Sequence, residues 1–160
     1  MLKCANYDIV FQEFPDEVTL AVNLSGCPCR CPGCHSQYLW ADVGDDLTLE
    51  RLLALADKYG TCITCVGLMG GDADPDAVLS LLAAFRAERP ALRTGWYSGC
   101  QEPPLHFADY PAPDYVKFGT WREELGPLSS PTTNQRLYRY YEDGTREDIT
   151  SKFRIKGLKI

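Results

Sequence analysis

The sequence predicts an α/β fold with a mainly parallel sheet and a short hairpin at the C-terminal end. Strand and helix patterns alternate along the chain, and the helix patterns begin and end at recognisable capping residues. Such alternation favours parallel strands joined by right-handed crossovers. At 160 residues the chain is expected to form a single domain over residues 1–160.

The first predicted elements lie on either side of a cysteine-rich loop. Val18 to Leu24 predicts a strand that leads the chain into this loop. Thr48 is a candidate N-cap residue, and the helix that follows is expected to run from Leu49 to about Tyr59. Gly60 is expected to end that helix.

The next elements continue the alternation. Cys62 to Met69 is a continuous apolar, β-branched run, which predicts a strand buried on both faces. Asp74 and Pro75 predict the start of a second helix, because an aspartate cap followed by proline is a typical N-terminal signal. Pro90 is expected to end this helix.

Short strands and a hairpin are predicted for the remainder of the chain. Arg93 to Ser98 and Tyr115 to Phe118 are the two short strand candidates. Leu137 to Tyr141 and Arg146 to Thr150 flank Asp143-Gly144, a dipeptide typical of a hairpin turn. These segments complete the predicted α/β order.

Composition and charge exclude several classes of partner. No apolar stretch approaches the ~20 residues needed to cross a membrane, so no membrane association is expected. The net charge of −6 argues against a broad nucleic-acid-binding surface. The N-terminus lacks the apolar core of a signal peptide, and eight cysteines in 160 residues are too few for a disulfide scaffold, so a cytoplasmic location is expected. A solvated basic tail is expected at Lys152, Arg154, Lys156 and Lys159.

The most informative motif is a group of four cysteines between Cys27 and Cys34. Cys27, Cys31 and Cys34 have the C-x3-C-x2-C spacing, and three thiolates on one short loop can hold three irons of a [4Fe–4S] cube while the fourth iron stays open. With Cys29 included, a Cys4 zinc site is the main alternative, although structural zinc usually takes two well-separated pairs of ligands. Unligated thiols are the third possibility.

Gly70-Gly71-Asp72 follows the predicted buried strand. In an open α/β sheet, ligands bind beyond the carboxyl ends of the strands. Two glycines allow a small molecule to approach the backbone, and the adjacent carboxylate can accept a hydrogen bond from an ammonium group. A tight turn before the helix cap explains these residues equally well. The motif gains specificity because it is expected at the same end of the sheet as the cysteine loop.

Together these motifs resemble the radical S-adenosylmethionine enzymes. Within that superfamily the chain is most similar to the glycyl-radical activases of anaerobic ribonucleoside-triphosphate reductase. The resemblance runs nearly end to end and implies a partial, open βα barrel. It rests on Ser25-Gly26-Cys27, Cys31-Pro32-Gly33-Cys34-His35, Trp40, Gly70-Gly71-Asp72, Glu123-Glu124-Leu125-Gly126-Pro127-Leu128 and Thr133-Asn134-Gln135-Arg136.

The resemblance also implies roles for individual residues. Cys27, Cys31 and Cys34 would ligate three irons, and S-adenosylmethionine would chelate the fourth through its amine and carboxylate. The last strand-end pair, Tyr97 and Ser98, is equally well explained as a strand end followed by a turn. The residues implied to contact the nucleotide are Gly33, Cys34, His35, Gly70, Gly71, Asp72, Tyr97 and Ser98.

The activity implied is reductive cleavage of S-adenosylmethionine to a 5′-deoxyadenosyl radical, which removes a glycine Cα hydrogen from the reductase and leaves a glycyl radical. No side chain of the protein need act as acid, base or nucleophile. The reductase and a one-electron donor such as a flavodoxin are the implied partners. The alternatives are another radical S-adenosylmethionine enzyme with a small-molecule substrate, and a non-catalytic zinc-binding interaction module.

Residues outside these motifs have simpler expectations. Cys29 is expected to be a spare thiol that points away from the cluster. Cys62 and Cys65 are expected to pack inside a strand, because free cysteine is among the most buried residue types. Cys100 has no assigned partner. Lys117 is expected to be a solvated lysine at a strand end, although it lies within reach of a methionyl carboxylate.

Overall fold

The computed structural model describes residues 1–153, which form one eight-stranded sheet and two α-helices. The strands are β1 (Lys3–Val10), β2 (Thr19–Leu24), β3 (Asp45–Asp46), β4 (Cys65–Met69), β5 (Arg93–Tyr97), β6 (Tyr115–Phe118), β7 (Arg136–Tyr140) and β8 (Arg146–Asp148). The α-helices are α1 (Leu49–Tyr59) and α2 (Pro75–Glu88), and short 3-10 helices cover Gln37–Trp40, Gly60–Cys62 and Phe107–Asp109. Of the predicted basic tail, Arg154, Lys156 and Lys159 lie outside the described residues.

The sheet is mixed and open, with the strand order β3-β1-β2-β4-β5-β6-β7-β8. The four central strands, β2, β4, β5 and β6, are parallel, and the two strands on either side of them are antiparallel. The predicted α/β class and the C-terminal hairpin are confirmed. The prediction of a mainly parallel sheet is wrong. Half-exposed strands such as β1 can pair antiparallel beside the central parallel strands, since only one face of an antiparallel strand must be buried.

The two faces of the parallel strands are covered differently. Side chains alternate between the faces along each strand, so neighbouring residues enter different clusters. One face packs against α1 and α2, and the strand residues buried there include Leu20, Val22, Val66, Leu68, Trp96, Val116 and Phe118. The opposite face carries a smaller cluster formed by Phe14, Cys65, Tyr115, Leu137 and Ile149. None of the helices within residues 1–153 is long and apolar enough to span a membrane.

Strand β4 is shorter than predicted. Its parallel pairing with β2 starts at Cys65, which is fully buried, whereas Cys62 is exposed in a short 3-10 helix. The packing interpretation is therefore confirmed for Cys65 and wrong for Cys62. A continuous apolar run does not show which of its residues begins the strand. Several residues of this run are needed to connect the end of α1 at Gly60 to the sheet.

Both predicted helix starts are confirmed by their caps. The Thr48 hydroxyl accepts a hydrogen bond from the Arg51 N–H (3.2 Å), and the Asp74 carboxylate accepts one from the Ala77 N–H (3.2 Å). Gly60 ends α1 with a φ of +53°, a left-handed conformation that favours glycine. The position of α2 matters for the site because its cap lies two residues after Asp72.

Removal of the α2 cap is expected to destabilise the protein measurably. Asp74→Ala leaves the N–H of Ala77 without its partner, and the free energy of unfolding should fall by about 1 kcal/mol in urea denaturation. Asp76→Ala is the matched control, because it removes the same charge from the first turn of α2 without removing the cap. Equal losses in the two variants would show that the cap bond contributes nothing.

Candidate functional site

The carboxyl ends of the parallel strands bring the two predicted motifs to one edge of the sheet. Strand β2 ends at Leu24, just before the cysteine loop (Cys27–Cys34), and the adjacent β4 ends at Met69, just before Gly70. The Gly70 N–H donates a hydrogen bond to the carbonyl of Tyr97 (2.9 Å), which joins the ends of β4 and β5. The prediction that both motifs lie at the same end of the sheet is confirmed.

Asp72 is the centre of the contacts at this edge. Its Oδ1 accepts a hydrogen bond from the Ser98 hydroxyl (2.5 Å), and its Oδ2 accepts one from the Gly99 N–H (2.9 Å). The thiols of Cys29 and Cys100 also approach the carboxylate, each with its sulfur 3.7 Å from one oxygen. The carboxylate is therefore held in place by the end of β5 and contacts the cysteine loop.

Cys29 points into the site, whereas the sequence favoured a thiol directed away from it. A Cβ atom at Gly99 would lie only 2.6 Å from the Cys29 sulfur, so the glycine makes room for this thiol. Burial raises the pKa of Cys29, and the Asp72 carboxylate raises it further. The thiol is thereby kept protonated and can donate to Asp72. That Cys29 is no metal ligand stays a prediction.

The three predicted cluster ligands lie on the same loop and are partly exposed. The loop is fixed by hydrogen bonds from the Cys27 N–H to the Leu39 carbonyl (2.9 Å) and from the Cys34 N–H to the Cys31 carbonyl (3.1 Å). Within residues 1–153, no three or more histidine, cysteine, aspartate and glutamate side chains are arranged to hold a metal ion. The described residues therefore hold no preformed site for a single metal ion.

The chemistry of the loop fits a sulfur-ligated metal group. Thiolates are soft donors that select zinc, copper(I) and iron–sulfur clusters rather than magnesium or calcium. The indole nitrogen of Trp121 is buried with no hydrogen-bond partner among residues 1–153, and it would lie 3.4 Å from a Cβ atom at Gly33. A buried N–H without a partner lowers the stability of the protein when no ligand is bound. A ligand beside Gly33 would resolve this cost by accepting a hydrogen bond.

The segment after β6 covers the last predicted ligand. The His35 and Trp121 rings lie 5.2 Å apart with a tilt of 47°, and a Cβ atom at Gly33 would come within 3.1 Å of the Glu123 carboxylate. Trp121 and Glu123 were not singled out individually from the sequence. Their position soon after a parallel strand was the available signal, because such segments lie at the ligand-binding edge.

The Tyr97 and Ser98 side chains are already engaged within the protein. The Tyr97 hydroxyl donates to the carbonyl of Glu13 (2.5 Å), and burial raises its pKa. Ser98 is fully buried, and besides donating to Asp72 its hydroxyl oxygen accepts from the Cys100 N–H (3.0 Å). Both hydroxyl hydrogens are thus used within the protein, and both residues support the edge of the sheet. Their predicted contact with the nucleotide stays a prediction.

Lys117 is buried, which corrects the expectation of a solvated side chain. It retains only 8% of its exposed area, and its ammonium group donates to the Gly119 carbonyl (3.0 Å). Burial lowers the pKa of Lys117 to about 8, while Asp72 and the thiols of the cysteine loop act in the opposite direction. The sequence signal was a lysine inside an otherwise apolar strand, β6, whose other three residues are all buried.

The low pKa of Lys117 predicts a pH-dependent stability. The pKa of Lys117 in the folded protein lies below its unfolded value of 10.5. Between pH 8 and 10.5 the unfolded chain therefore binds more protons than the folded protein. The penalty for burying the ammonium group disappears as the pH rises through that window. Below pH 8, the free energy of unfolding of Lys117→Met should exceed that of the wild type by about 2–3 kcal/mol. This gain should approach zero near pH 10.5.

Urea denaturation at pH 7, 8, 9 and 10 measures this difference. Lys58→Met is the control, because Lys58 is an exposed lysine on α1 and its removal should give a difference that does not follow this pH profile. A pH-independent difference for Lys117→Met would contradict the prediction.

A cavity of about 820 Å³ lies elsewhere in the protein. It is lined by residues such as Phe107, Tyr110, Tyr140 and Arg146, and by none of the predicted site residues.

Comparison with known proteins returned no relative for this chain. No protein-family model matches it, and neither a curated protein nor a solved structure does.

Proposed function

We propose that this protein is a radical S-adenosylmethionine enzyme that activates an anaerobic ribonucleoside-triphosphate reductase by generating its glycyl radical. One observation carries the proposal: a C-x3-C-x2-C loop after β2 adjoins Gly70-Gly71-Asp72 after β4 at a single edge of the sheet. Sulfur donors for a metal group thus lie beside a carboxylate and a glycine backbone suited to an amino-acid group. An open α/β sheet is compatible with the partial barrel that the motifs imply.

Three cysteines would hold the cluster, and the glycine turn would receive the nucleotide. Cys27, Cys31 and Cys34 would ligate the irons, while Asp72 would accept a hydrogen bond from the methionyl ammonium. When bound, the cluster and S-adenosylmethionine supply the 5′-deoxyadenosyl radical that takes a Cα hydrogen from a glycine of the reductase. The protein's own residues bind, orient and shield these groups.

The backbone at the glycine turn is shaped for close approach. Gly70 and Gly71 have φ angles of +104° and +87°, which residues with a Cβ atom rarely adopt. At Gly71 a Cβ atom would also lie 2.4 Å from the Val78 side chain. The Gly70 carbonyl accepts a hydrogen bond from the indole N–H of Trp96 (2.7 Å), and this bond fixes the turn to strand β5. Asp72 is oriented by this rigid turn and by its bonds to β5.

The exposure of the cysteine loop supports a protein substrate over a small molecule. Gly33 and His35, which flank the last predicted ligand, are exposed, and the 820 Å³ cavity lies among other residues. A glycine loop of a partner protein can reach an open edge, whereas small substrates are usually enclosed in a pocket. The proposal also implies a cytoplasmic one-electron donor such as a flavodoxin.

The test is anaerobic reconstitution with iron and sulfide, followed by mixing with the reductase, a reductant and S-adenosylmethionine. A brown protein and a glycyl-radical doublet in the electron paramagnetic resonance spectrum are expected. Release of 5′-deoxyadenosine without a radical on the reductase would point instead to a small-molecule substrate. A colourless, zinc-bound protein without cleavage of S-adenosylmethionine would eliminate the proposal.

A further inference from the structure

The cavity of about 820 Å³ lies away from the cysteine-loop edge. Two of its lining residues, Ala112 and Tyr140, lie at the amino end of β6, where the Tyr140 N–H donates to the Asp114 carbonyl (2.8 Å). The cysteine loop instead follows the carboxyl ends of the parallel strands, so the cavity lies toward the opposite end of the sheet. Its volume falls within the roughly 300–1,000 Å³ that is usual for small-molecule sites.

Aromatic rings form much of the cavity wall. The rings of Phe107 and Tyr140 lie 5.2 Å apart with a tilt of 52°, so together they make an aromatic corner. Tyr140 is buried, and Phe107 and Tyr110 pack against the helical core, which holds all three rings in place. Aromatic side chains bind other flat rings in stacked or edge-on contact. The shape and chemistry of this wall therefore suit a flat aromatic group.

Arg146 supplies a cation beside these rings. Its guanidinium group lies 4.0 Å from the centre of the Tyr138 ring and donates a hydrogen bond to the Tyr140 hydroxyl (3.3 Å). No carboxylate of residues 1–153 lies within 4.0 Å of Arg146, because the nearby Asp148 is paired with Arg136 (2.7 Å). A guanidinium group has five N–H donors, and it binds carboxylate and phosphate groups through two of them at once.

The charges on the cavity wall favour an anion. Its lining contains two cations, Arg86 and Arg146, and one anion, Glu142. Arg86 is already used within the protein, since it donates to the Asp114 carboxylate (2.9 Å) and to the Ala112 carbonyl (2.9 Å). Arg146 is thus the cation that remains available to a ligand. The whole chain carries a net charge of −6, so this excess of positive charge is local.

We propose that this cavity is a second ligand site, which binds a flat aromatic molecule that carries an anionic group. The ring lies against Phe107 and Tyr140, and the anion accepts hydrogen bonds from Arg146. The site is independent of the proposed radical chemistry, because none of the residues assigned to that chemistry line the cavity. A phosphorylated base and an aromatic carboxylate share the required chemistry.

Fluorescence titration of the full-length protein with two matched probes tests the cavity. Anilinonaphthalene sulfonate is an aromatic anion, and phenylnaphthylamine is the same ring system without the sulfonate. The wild type should bind one sulfonate probe per chain. Ala108→Trp places an indole at an exposed lining residue and should weaken binding of both probes by about tenfold or more. Ala91→Trp, at an exposed alanine outside the cavity, should leave both affinities unchanged.

A second pair of variants tests the cation. Arg146→Gln should weaken binding of the sulfonate probe by about tenfold, because a charge-assisted hydrogen bond is lost. Its affinity for phenylnaphthylamine should change by less than about twofold, since this probe has no anion to bind. Arg51→Gln removes the same charge from α1, outside the cavity, and should change neither affinity. Equal losses of the two probes in Arg146→Gln would overturn the role of Arg146.

Competition identifies the source of the anion. Displacement of the sulfonate probe by adenosine monophosphate, but not by adenosine, would assign a phosphorylated base, whereas displacement by naphthoate alone would assign an aromatic carboxylate. Failure of both anions to compete would overturn the proposal, and so would equal affinities of Ala108→Trp and Ala91→Trp for the probes. Far-ultraviolet circular dichroism checks the fold. If Ala108→Trp does not fold, Leu105→Glu replaces it, because Leu105 is an exposed lining residue and the new carboxylate should repel the sulfonate.

Discussion

Replacement of Cys31 with alanine is expected to abolish both the visible absorption of the reconstituted protein and its ability to generate a glycyl radical. A cluster held by three thiolates has no spare ligand, so the loss of one removes a third of its bonds to the protein. We expect the iron content to fall to near background and the activity to fall by about 100-fold or more, beyond what changes in the surroundings of a metal site cause. Iron and sulfide analysis, visible spectra and electron paramagnetic resonance measure these outcomes.

Two other cysteines provide matched controls for this substitution. Cys62 is exposed in the 3-10 helix after α1, and Cys62→Ala should retain the full iron content and activity. Cys29 lies on the cysteine loop itself and contacts Asp72, so Cys29→Ala tests whether a thiol on this loop is dispensable. We expect Cys29→Ala to keep the cluster.

The pattern of losses distinguishes the possible metal groups. Loss of metal on substitution of Cys29 as well as Cys31 would favour the Cys4 zinc site. Retention of the cluster in Cys31→Ala would refute the predicted ligand set.

The parts of the fold that follow from local signals were predicted correctly. The caps at Thr48 and Asp74 are made by side chains that bond the backbone three residues on, so a short stretch of sequence specifies them. Strand β6 was predicted with its observed bounds. Strand β1 was missed, because half-exposed strands have a weaker pattern and their pairing depends on distant partners.

The position of the site was predictable, but its internal contacts were not. Parallel strands must end at the same edge, which places the cysteine loop beside Gly70. The contact of Cys29 with Asp72 joins residues 43 apart in sequence, and Lys117 packs against Tyr97 of the neighbouring strand β5. No local pattern encodes such contacts, and the usual expectation for a lysine is exposure. The sequence therefore predicts a solvated Lys117 and a Cys29 that points away from the cluster, which are the more common arrangements for these residue types.

Phe14 is expected to be among the residues with the largest effect on stability. It lies in the segment between β1 and β2, is fully buried, and stacks on Tyr115 with ring centres 5.2 Å apart. Its ring fills the space left by two glycines, since a Cβ atom at Gly67 would come within 2.8 Å of the ring and one at Gly95 would come closer still. The Phe14 ring thus buries the face of the parallel strands that lies opposite to the helices.

Phe14→Ala should lower the free energy of unfolding by about 3–5 kcal/mol, with the upper part of that range favoured. The cost of a cavity depends on how far its walls can collapse, and Gly67 and Gly95 have no side chains that can move into the space. The substitution should also loosen Tyr97, whose ring packs edge-on against Phe14 and faces Lys117. Weaker ligand binding at the cysteine-loop edge is therefore expected together with the loss of stability.

Phe11→Ala is the control, because it is the same substitution in the same segment at a side chain that is 64% exposed. Its effect on the free energy of unfolding should stay below about 0.5 kcal/mol. Urea denaturation of both variants gives the comparison directly. Equal losses for Phe14→Ala and Phe11→Ala would mean that the Phe14 ring does not fill the space over the two glycines, and the expected loosening of Tyr97 would lose its basis.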